Sequence, residues 1–361
     1  MNNKLAELGF TQKLLQEAAG YKDLEPGRVI ARDKNLYRVA IADRDLQAEV
    51  AGKLRYRALN ESDFPAVGDF VLVDRVGDGN ETVLIQRIMT RSGLFERRAA
   101  GNTNETQVLA ANIDFAFICM ALDRDFNLRR LERYLSLAWA GGAVPVVVLT
   151  KADLSPNLIH KLDQVKTVSA GADVLVTSSL TDQGFKPITT YLESGKTYVF
   201  IGSSGVGKST LINRLLGSEH LKTKETRKDG KGKHATTRRE LILLPGGGAV
   251  IDTPGMRELG LESADLARSF SDIEELASSC KFNDCAHISE PGCAVLKAVE
   301  EGLLSADRLA NYRKLLKEAR YVGLNSKQVE REKIVEMTSG FGSLKQARNY
   351  IKNKSKERNE R

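Results

Sequence analysis

Gly202-Ser203-Ser204-Gly205-Val206-Gly207-Lys208-Ser209 decides the fold. The stretch is a glycine, four free positions and then Gly-Lys-Ser. A compact apolar run, Tyr198 to Ile201, precedes it, and a helix-like Thr210 to Leu216 follows. Strand, glycine-rich loop and helix in that order make a phosphate-binding P-loop. The glycines let backbone N–H groups converge on phosphate oxygens, and the helix turns its positive end toward them. Lys208 is then expected on the β- and γ-phosphates, with the Ser209 hydroxyl on Mg²⁺. Gly202 to Ser209, with Thr210 opening the helix, form the expected phosphate cradle.

Working outward, apolar runs alternate with helix-like stretches. Ile113 to Met120, Val144 to Leu149 and Asp173 to Val176 read as buried strands. Leu128 to Ala140 repeats Leu131, Tyr134, Leu135 and Leu137 near helical spacing. Such alternation predicts an α/β unit over residues 105–262, its parallel sheet covered on both faces. Leu241 to Leu244 and Ala249 to Ile251 read as a hairpin turned through Pro245-Gly246-Gly247-Gly248. Cys119, inside the first run, reads as a buried apolar thiol.

Thr150-Lys151-Ala152-Asp153 follows the Val144 strand. A carboxylate there accepts from the N1–H and 2-amino group of guanine, whereas adenine offers no matching pair of donors. Lys151 can lay its stem along the base, and Ser178-Ser179 can present backbone N–H groups to the base oxygen. Asp252-Thr253-Pro254-Gly255 ends the hairpin. Asp252 is expected to hold a metal-bound water and Gly255 to offer its N–H to the γ-phosphate. Gly232-Lys233-His234-Ala235-Thr236-Thr237 supplies a threonine for Mg²⁺, Thr237 first and Thr236 as the alternative. The nucleotide expected is GTP or GDP. Ordinary small GTPases place base-reading segments after the phosphate loop. Here they come before it, so the domain reads as circularly permuted.

Ahead of this unit, short runs at Val29, Tyr37, Phe70 and Val83, with turns at Asp33-Lys34-Asn35 and Asp78-Gly79-Asn80, predict an all-β, OB-like barrel over 26–95. Residues 1–25 read as a short helix or loose lead-in. Arg91 to Arg98 sets arginines around Phe95, which reads either as an exposed surface for stacking nucleic-acid bases or as a solvated linker. Lys222 to Arg239 is rich in cations and glycine, a loop beside the nucleotide that is either simply solvated or docks on a polyanion.

Cys280-x₄-Cys285-x-His287-x₅-Cys293 gathers three thiols and an imidazole within one short stretch. That donor set suits one structural, tetrahedral Zn²⁺ with no open position. Helical patterns flank it, giving a zinc-binding unit over 263–340 and a basic tail over 341–361.

The chain has 361 residues, four cysteines and a formal charge of +7. That length suits two or three domains, and the charge permits an anionic partner without naming one. Four cysteines in such a chain are not a disulfide framework. With no apolar run long enough to span a bilayer and no signal-peptide pattern, the chain reads as a cytoplasmic monomer without a membrane partner.

In its P-loop, the Gly232-to-Thr237 loop, Asp252-Thr253-Pro254-Gly255 and the cysteine spacing, the chain resembles the bacterial circularly permuted GTPases that depend on the small ribosomal subunit (the RsgA/YjeQ type). The resemblance implies GTP hydrolysis stimulated by that subunit, a role in its late maturation, and rRNA contacts by barrel and zinc unit. Two positions depart from the family pattern. Thr150 stands where Asn-Lys-x-Asp has asparagine, which implies weaker guanine binding. Ala235 stands where the family loop often has threonine, a loss that Thr236 and Thr237 can cover. Met256 stands where many GTPases orient water with glutamine, and a thioether cannot do that. The expected catalytic residues are His234, Lys208 and Thr237, although His234 equally reads as a loop residue touching RNA or solvent. An RNA-binding occupancy module, for which hydrolysis serves only release, and a P-loop ATPase or kinase are the other function classes.

Overall fold

The computed structural model describes residues 3–74, 82–98, 106–178, 184–219, 239–252 and 265–320, with Gln328 and Arg331. Two helices open the chain, α1 (Asn3–Glu7) and α2 (Gln12–Ala19). The Thr11 hydroxyl caps α2 by accepting the Leu14 N–H. Leu5, Leu8, Phe10 and Leu14 are buried, and Phe10 meets Phe70 edge-on. Apolar burial therefore anchors the lead-in.

Next come β1 (Leu24–Asp33), β2 (Leu36–Ala40), β3 (Asp45–Val50), the short helix α3 (Gly52–Arg57), β4 (Phe70–Asp74) and β5 (Thr82–Ile88). Hydrogen bonding runs β1-β2-β3-β5-β4 and returns to β1, closing a five-stranded barrel. β3 alternates exposed and buried residue by residue. Its Leu46, Ala48 and Val50 join Val29, Val39, Val71, Val83 and Ile85 inside. This is the period-two pattern of a strand with one wet face.

β6 (Leu94–Arg98) and β7 (Thr106–Ala111) form a separate antiparallel pair. Phe95 is not exposed, as the sequence suggested, but buried at 2%. It lies so close to Gly141 that a Cβ there would stand 2.7 Å from the ring. Arg91 is committed as well. Its Nε and NH2 donate to the two Asp69 carboxylate oxygens at 2.8 and 2.7 Å, and NH1 donates to the Ser62 carbonyl at 2.8 Å. Neither the base-stacking nor the linker reading survives for these two residues. Their segment is a packed strand and a buried ion pair.

The α/β unit follows: β8 (Phe115–Ala121), α4 (Leu128–Ala140), β9 (Val144–Thr150), α5 (Leu158–Val168), β10 (Asp173–Val176), α6 (Phe185–Thr189), β11 (Thr197–Ile201), α7 (Lys208–Leu216), and the antiparallel hairpin β12 (Arg239–Leu243) and β13 (Ala249–Asp252). Strand order is β10-β9-β8-β11-β13-β12, parallel except for β12. β8, β9 and β11 are buried almost throughout, as expected of strands covered on both faces.

β12 also pairs with β1, at Ala31↔Glu240 and Arg32↔Arg239, so barrel and α/β unit share one eleven-stranded sheet. Beneath the join lies Arg28, 1% exposed. Its guanidinium donates to the carbonyls of Gly68 at 3.1 Å, Asn112 at 3.3 Å and Leu8. One side chain thus ties lead-in, barrel and α/β unit. Burial lowers its pKa to about 10, which leaves it charged.

The last described elements are α8 (Leu266–Ser269), α9 (Ser271–Ala277), α10 (Ala294–Glu300) and α11 (Ala306–Arg320), packed around Phe270, Ile273, Val295, Leu309 and Tyr312. They dock on α4 through buried polar groups. Arg308 donates to Glu132, and to Asp272 twice at 2.7 Å. Asn311 donates to the other Glu132 oxygen, and the Ser136 hydroxyl donates to that of Ser269 at 2.7 Å.

Candidate active site and metal centre

The carboxyl ends of β8, β9, β10 and β11 converge on one side of the sheet, where open α/β folds bind ligands. Gly202 leaves β11 at φ +150° with Cys119 O so near that a Cβ would lie 2.3 Å from it, so only glycine fits. Val206 is buried at 1% and anchors the loop in the core, while Ser204 and Gly205 face solvent. Gly207, left-handed at φ +99°, opens α7 with no side-chain cap. The first N–H groups of α7 and its dipole therefore stay available to an anion. Lys208 curls over the loop, its ammonium donating to the carbonyls of Gly202 at 2.7 Å and Ser203 at 2.6 Å. Ser209 and Thr210 follow in the first turn of α7, and Asp252 ends β13 half-buried, with β13 paired to β11.

On the base side, Thr150 ends β9 with its hydroxyl donating to the Val206 carbonyl at 2.6 Å. The residue that departs from the family pattern thus braces the P-loop, and its only proton is committed there. Lys151 adopts φ +57° and its ammonium meets Asp123 at 2.8 Å. Burial alone would raise the Asp123 carboxyl, but the Lys151 ammonium and the Asp125 N–H outweigh it and hold that carboxyl below the usual range. Asp153 Oδ1 accepts from the Ser178 hydroxyl at 2.5 Å, and Ser178 is buried at 1%. The two segments expected to read the base thus stand side by side.

Asp123, Asp125 and Arg130 belong to this site although the sequence reading passed over them. Arg130 donates to the Asp125 carboxylate at 2.7 Å and to the Ser203 hydroxyl. Their one sequence cue is position, since Asp123-Arg124-Asp125 follows a strand that pairs with the P-loop strand. Arg239, which ends the cation-rich stretch, donates to the Val108 carbonyl at 3.0 Å and to Gln107 at 3.3 Å. Ser179, the loop carrying His234, Thr236 and Thr237, Gly255 and Met256, and the basic tail lie outside the described residues. Cys119 is the buried thiol expected, pushed by burial up to about 12.

In the C-terminal unit, Cys280, Cys285, His287 and Cys293 bring their ligand atoms within 4.8 Å of one another. Cys280 and Cys293 sulfurs stand 3.8 Å apart, and His287 Nδ1 lies 3.7 and 3.4 Å from them. Sulfurs bound to one zinc at about 2.3 Å lie about 3.8 Å apart, so these edges fit a tetrahedron. Three devices shape the knuckle. His287 turns at φ +57°. Glu290 accepts the N–H groups of Ala286, Ile288 and Ser289 at 2.9, 2.6 and 2.9 Å. Cys293 Sγ accepts the Leu296 N–H at 3.4 Å and caps α10. On α11, Arg313 keeps Nε and NH2 buried with no hydrogen-bond partner among the described residues, and its charge adds to burial, the larger cause, in lowering the basicity of His287. A metal bound by three thiolates carries net negative charge and would complement that guanidinium.

A phosphate loop at the centre of a parallel sheet, with its base-reading strands earlier in the chain, defines a circularly permuted P-loop GTPase. The RsgA GTPase family model matches residues 88–262. A small ribosomal subunit biogenesis GTPase, RsgA 2 of Lactiplantibacillus plantarum, is 49% identical over 96% of this chain and 98% of its own. Among solved structures, YjeQ from Thermotoga maritima aligns over 82% of this chain and 98% of its own at 26% identity and TM-score 0.61. YloQ, described as a circularly permuted GTPase, aligns over 82% of this chain and 95% of its own at 28% identity and TM-score 0.57. The chain belongs to the RsgA GTPase family and is a GTP hydrolase.

Proposed function

We propose that this GTPase binds the small ribosomal subunit and acts in its late maturation, hydrolysing GTP faster when bound there. The observation that carries the reading is near-end-to-end similarity to a named small-subunit biogenesis GTPase. The architecture supports it, because a barrel and a metal-bearing helical unit stand on either side of the nucleotide domain. On the barrel, Tyr56 and Leu59 are 91% and 89% exposed beside Lys53, Arg55 and Arg57, a composition suited to stacking on rRNA bases and contacting phosphates. The protein works in the cytoplasm as a monomer. Its parts are the lead-in 1–25, barrel 26–95, GTPase domain 105–262, zinc unit 263–340 and basic tail 341–361.

Gly202 to Thr210 hold the phosphates, with Lys208 exchanging its two loop carbonyls for phosphate oxygens. Asp153 reads the guanine edge, Lys151 and Thr150 shape the base slot, and Ser178 and Ser179 close it. Ser209 and Thr237 (Thr236 in reserve) hold Mg²⁺, Asp252 through water, and Gly255 offers its N–H to the γ-phosphate. When bound, Mg²⁺ neutralises charge on the transferring phosphoryl group. His234 orients the attacking water once the subunit has positioned its loop, so turnover by the free protein is expected to be slow. One structural Zn²⁺ occupies the Cys280, Cys285, His287 and Cys293 knuckle.

The deciding experiment is steady-state hydrolysis of GTP and ATP with and without purified small subunits. GTP-selective turnover that rises at least about tenfold with subunits is expected, and His234→Ala should remove about a hundredfold of the stimulated rate. Unstimulated turnover, or a preference for ATP, would sink the ribosomal reading.

A further inference from the structure

Helix α4 has two working faces. Arg130 and Tyr134, one turn apart, both meet the Ser203 hydroxyl. Arg130 is itself anchored, donating to the Asp125 carboxylate at 2.7 Å and to the Asp125 carbonyl at 3.2 Å. Asn127 caps the helix by accepting the Arg130 N–H at 3.0 Å. The other face carries Glu132, Arg133 and Ser136, whose partners are Arg308 and Asn311, Glu318, and Ser269. The helix is thus clamped between the phosphate loop and the C-terminal helices.

We propose that Arg130 is a positioning residue of the nucleotide site, bracing the phosphate loop at Ser203 against α4 so that the loop is set for GDP and GTP alike. The proposal rests on the GTPase reading of that site. Ser203 is held twice, through its carbonyl by Lys208 at 2.6 Å and through its hydroxyl by α4. Phosphate claims Lys208 on binding, so the carbonyl hold is given up and the side-chain brace remains. A guanidinium, with five donors in a fixed fork, serves Asp125 and Ser203 at once, whereas an ammonium on a flexible stem cannot be pre-set in the same way. A loop ordered in advance loses less freedom on binding, and affinity rises for any ligand of the loop.

The test is equilibrium binding of GDP and a non-hydrolysable GTP analogue to the full chain, with thermal midpoints alongside. The variants are Arg130→Ala, Arg130→Lys, Ser203→Ala and the double alanine. Each alanine change should loosen both nucleotides by about fivefold, the worth of one hydrogen bond, and leave their ratio unchanged. The double variant should be no weaker than either single one, and lysine should recover part of the loss. Unchanged affinities, a lowered midpoint alone, or additive losses would overturn the brace. A loss confined to the GTP analogue would overturn it too, by placing Arg130 on the γ-phosphate. Parent protein that bound neither guanine nucleotide would overturn the reading of the site itself, and the brace with it.

Discussion

At the scale of single residues, the base slot shows how one proton is allotted. The Thr150 hydroxyl gives its proton to Val206 and has none left for the guanine N7. Asparagine has two amide hydrogens, one for the loop and one for the base. Thr150→Asn should therefore tighten GDP binding by about fivefold, or about 1 kcal/mol, in equilibrium titration, and unchanged affinity would show that N7 is not engaged. The Asp123–Lys151 pair gives a pH test. The folded Asp123 carboxyl is held below its unfolded value near 3.9, so its contribution is complete above that pH and fades as pH falls through the folded value. The stability gap between parent and Asp123→Asn, read by urea unfolding, should be constant from about pH 5 to 8 and close as the pH falls below the ordinary carboxylate range. The two side chains keep only 26% and 27% of their surface in solvent, yet the pair stands at the rim of the sheet, so the gap should stay near about 1 kcal/mol.

At the scale of elements, α4 shows what periodicity yields and what it withholds. Leu131, Tyr134, Leu135 and Leu137 announce a helix buried against a sheet, and the helix forms over the residues expected. Glu132 and Ser136 lie on the same helix and are buried too, which no hydrophobic pattern marks, because their partners arrive from more than a hundred residues away. The phosphate loop, Asp153 and the cysteine knuckle were legible because each needs fixed residue types at short spacing. Arg130 was not, since its meaning depends on a tertiary neighbour. Strand β3 escaped notice because a strand with one wet face carries only three inward apolar residues, and Phe95 misled because arginines flank it in sequence while Gly141 covers it in space. Glu132→Gln leaves the buried Arg308 with Asp272 as its remaining carboxylate among the described residues and should cost about 2 kcal/mol, the worth of a charged hydrogen bond, in urea unfolding of metal-loaded protein. Arg129→Ala, which removes a solvent-exposed pair with Asp307, should fall within about 0.5 kcal/mol of the parent.

At the scale of the molecule, barrel and GTPase domain are joined by one strand pairing and by the knot around Arg28. Gly68 sits in that knot at φ +95°, where a Cβ would stand 2.2 Å from the Ala111 carbonyl across the join. Gly68→Ala must strain its own backbone and push the units apart. It should cost about 2 kcal/mol or more and lower the unfolding midpoint, while a parent-like midpoint would show that the join is compliant. The order of strands along the chain bears on how the molecule is made. β8 pairs with β9 as soon as both exist, yet its other edge must wait for β11, about 80 residues further on. At about 5–20 residues per second, the nascent chain carries a bare, apolar strand edge for about 4–16 s, and only the arrival of the phosphate loop's own strand covers it. A permutation that keeps the finished sheet intact therefore makes its assembly vectorial: the half that reads the base is in place before the half that grips the phosphates has left the ribosome.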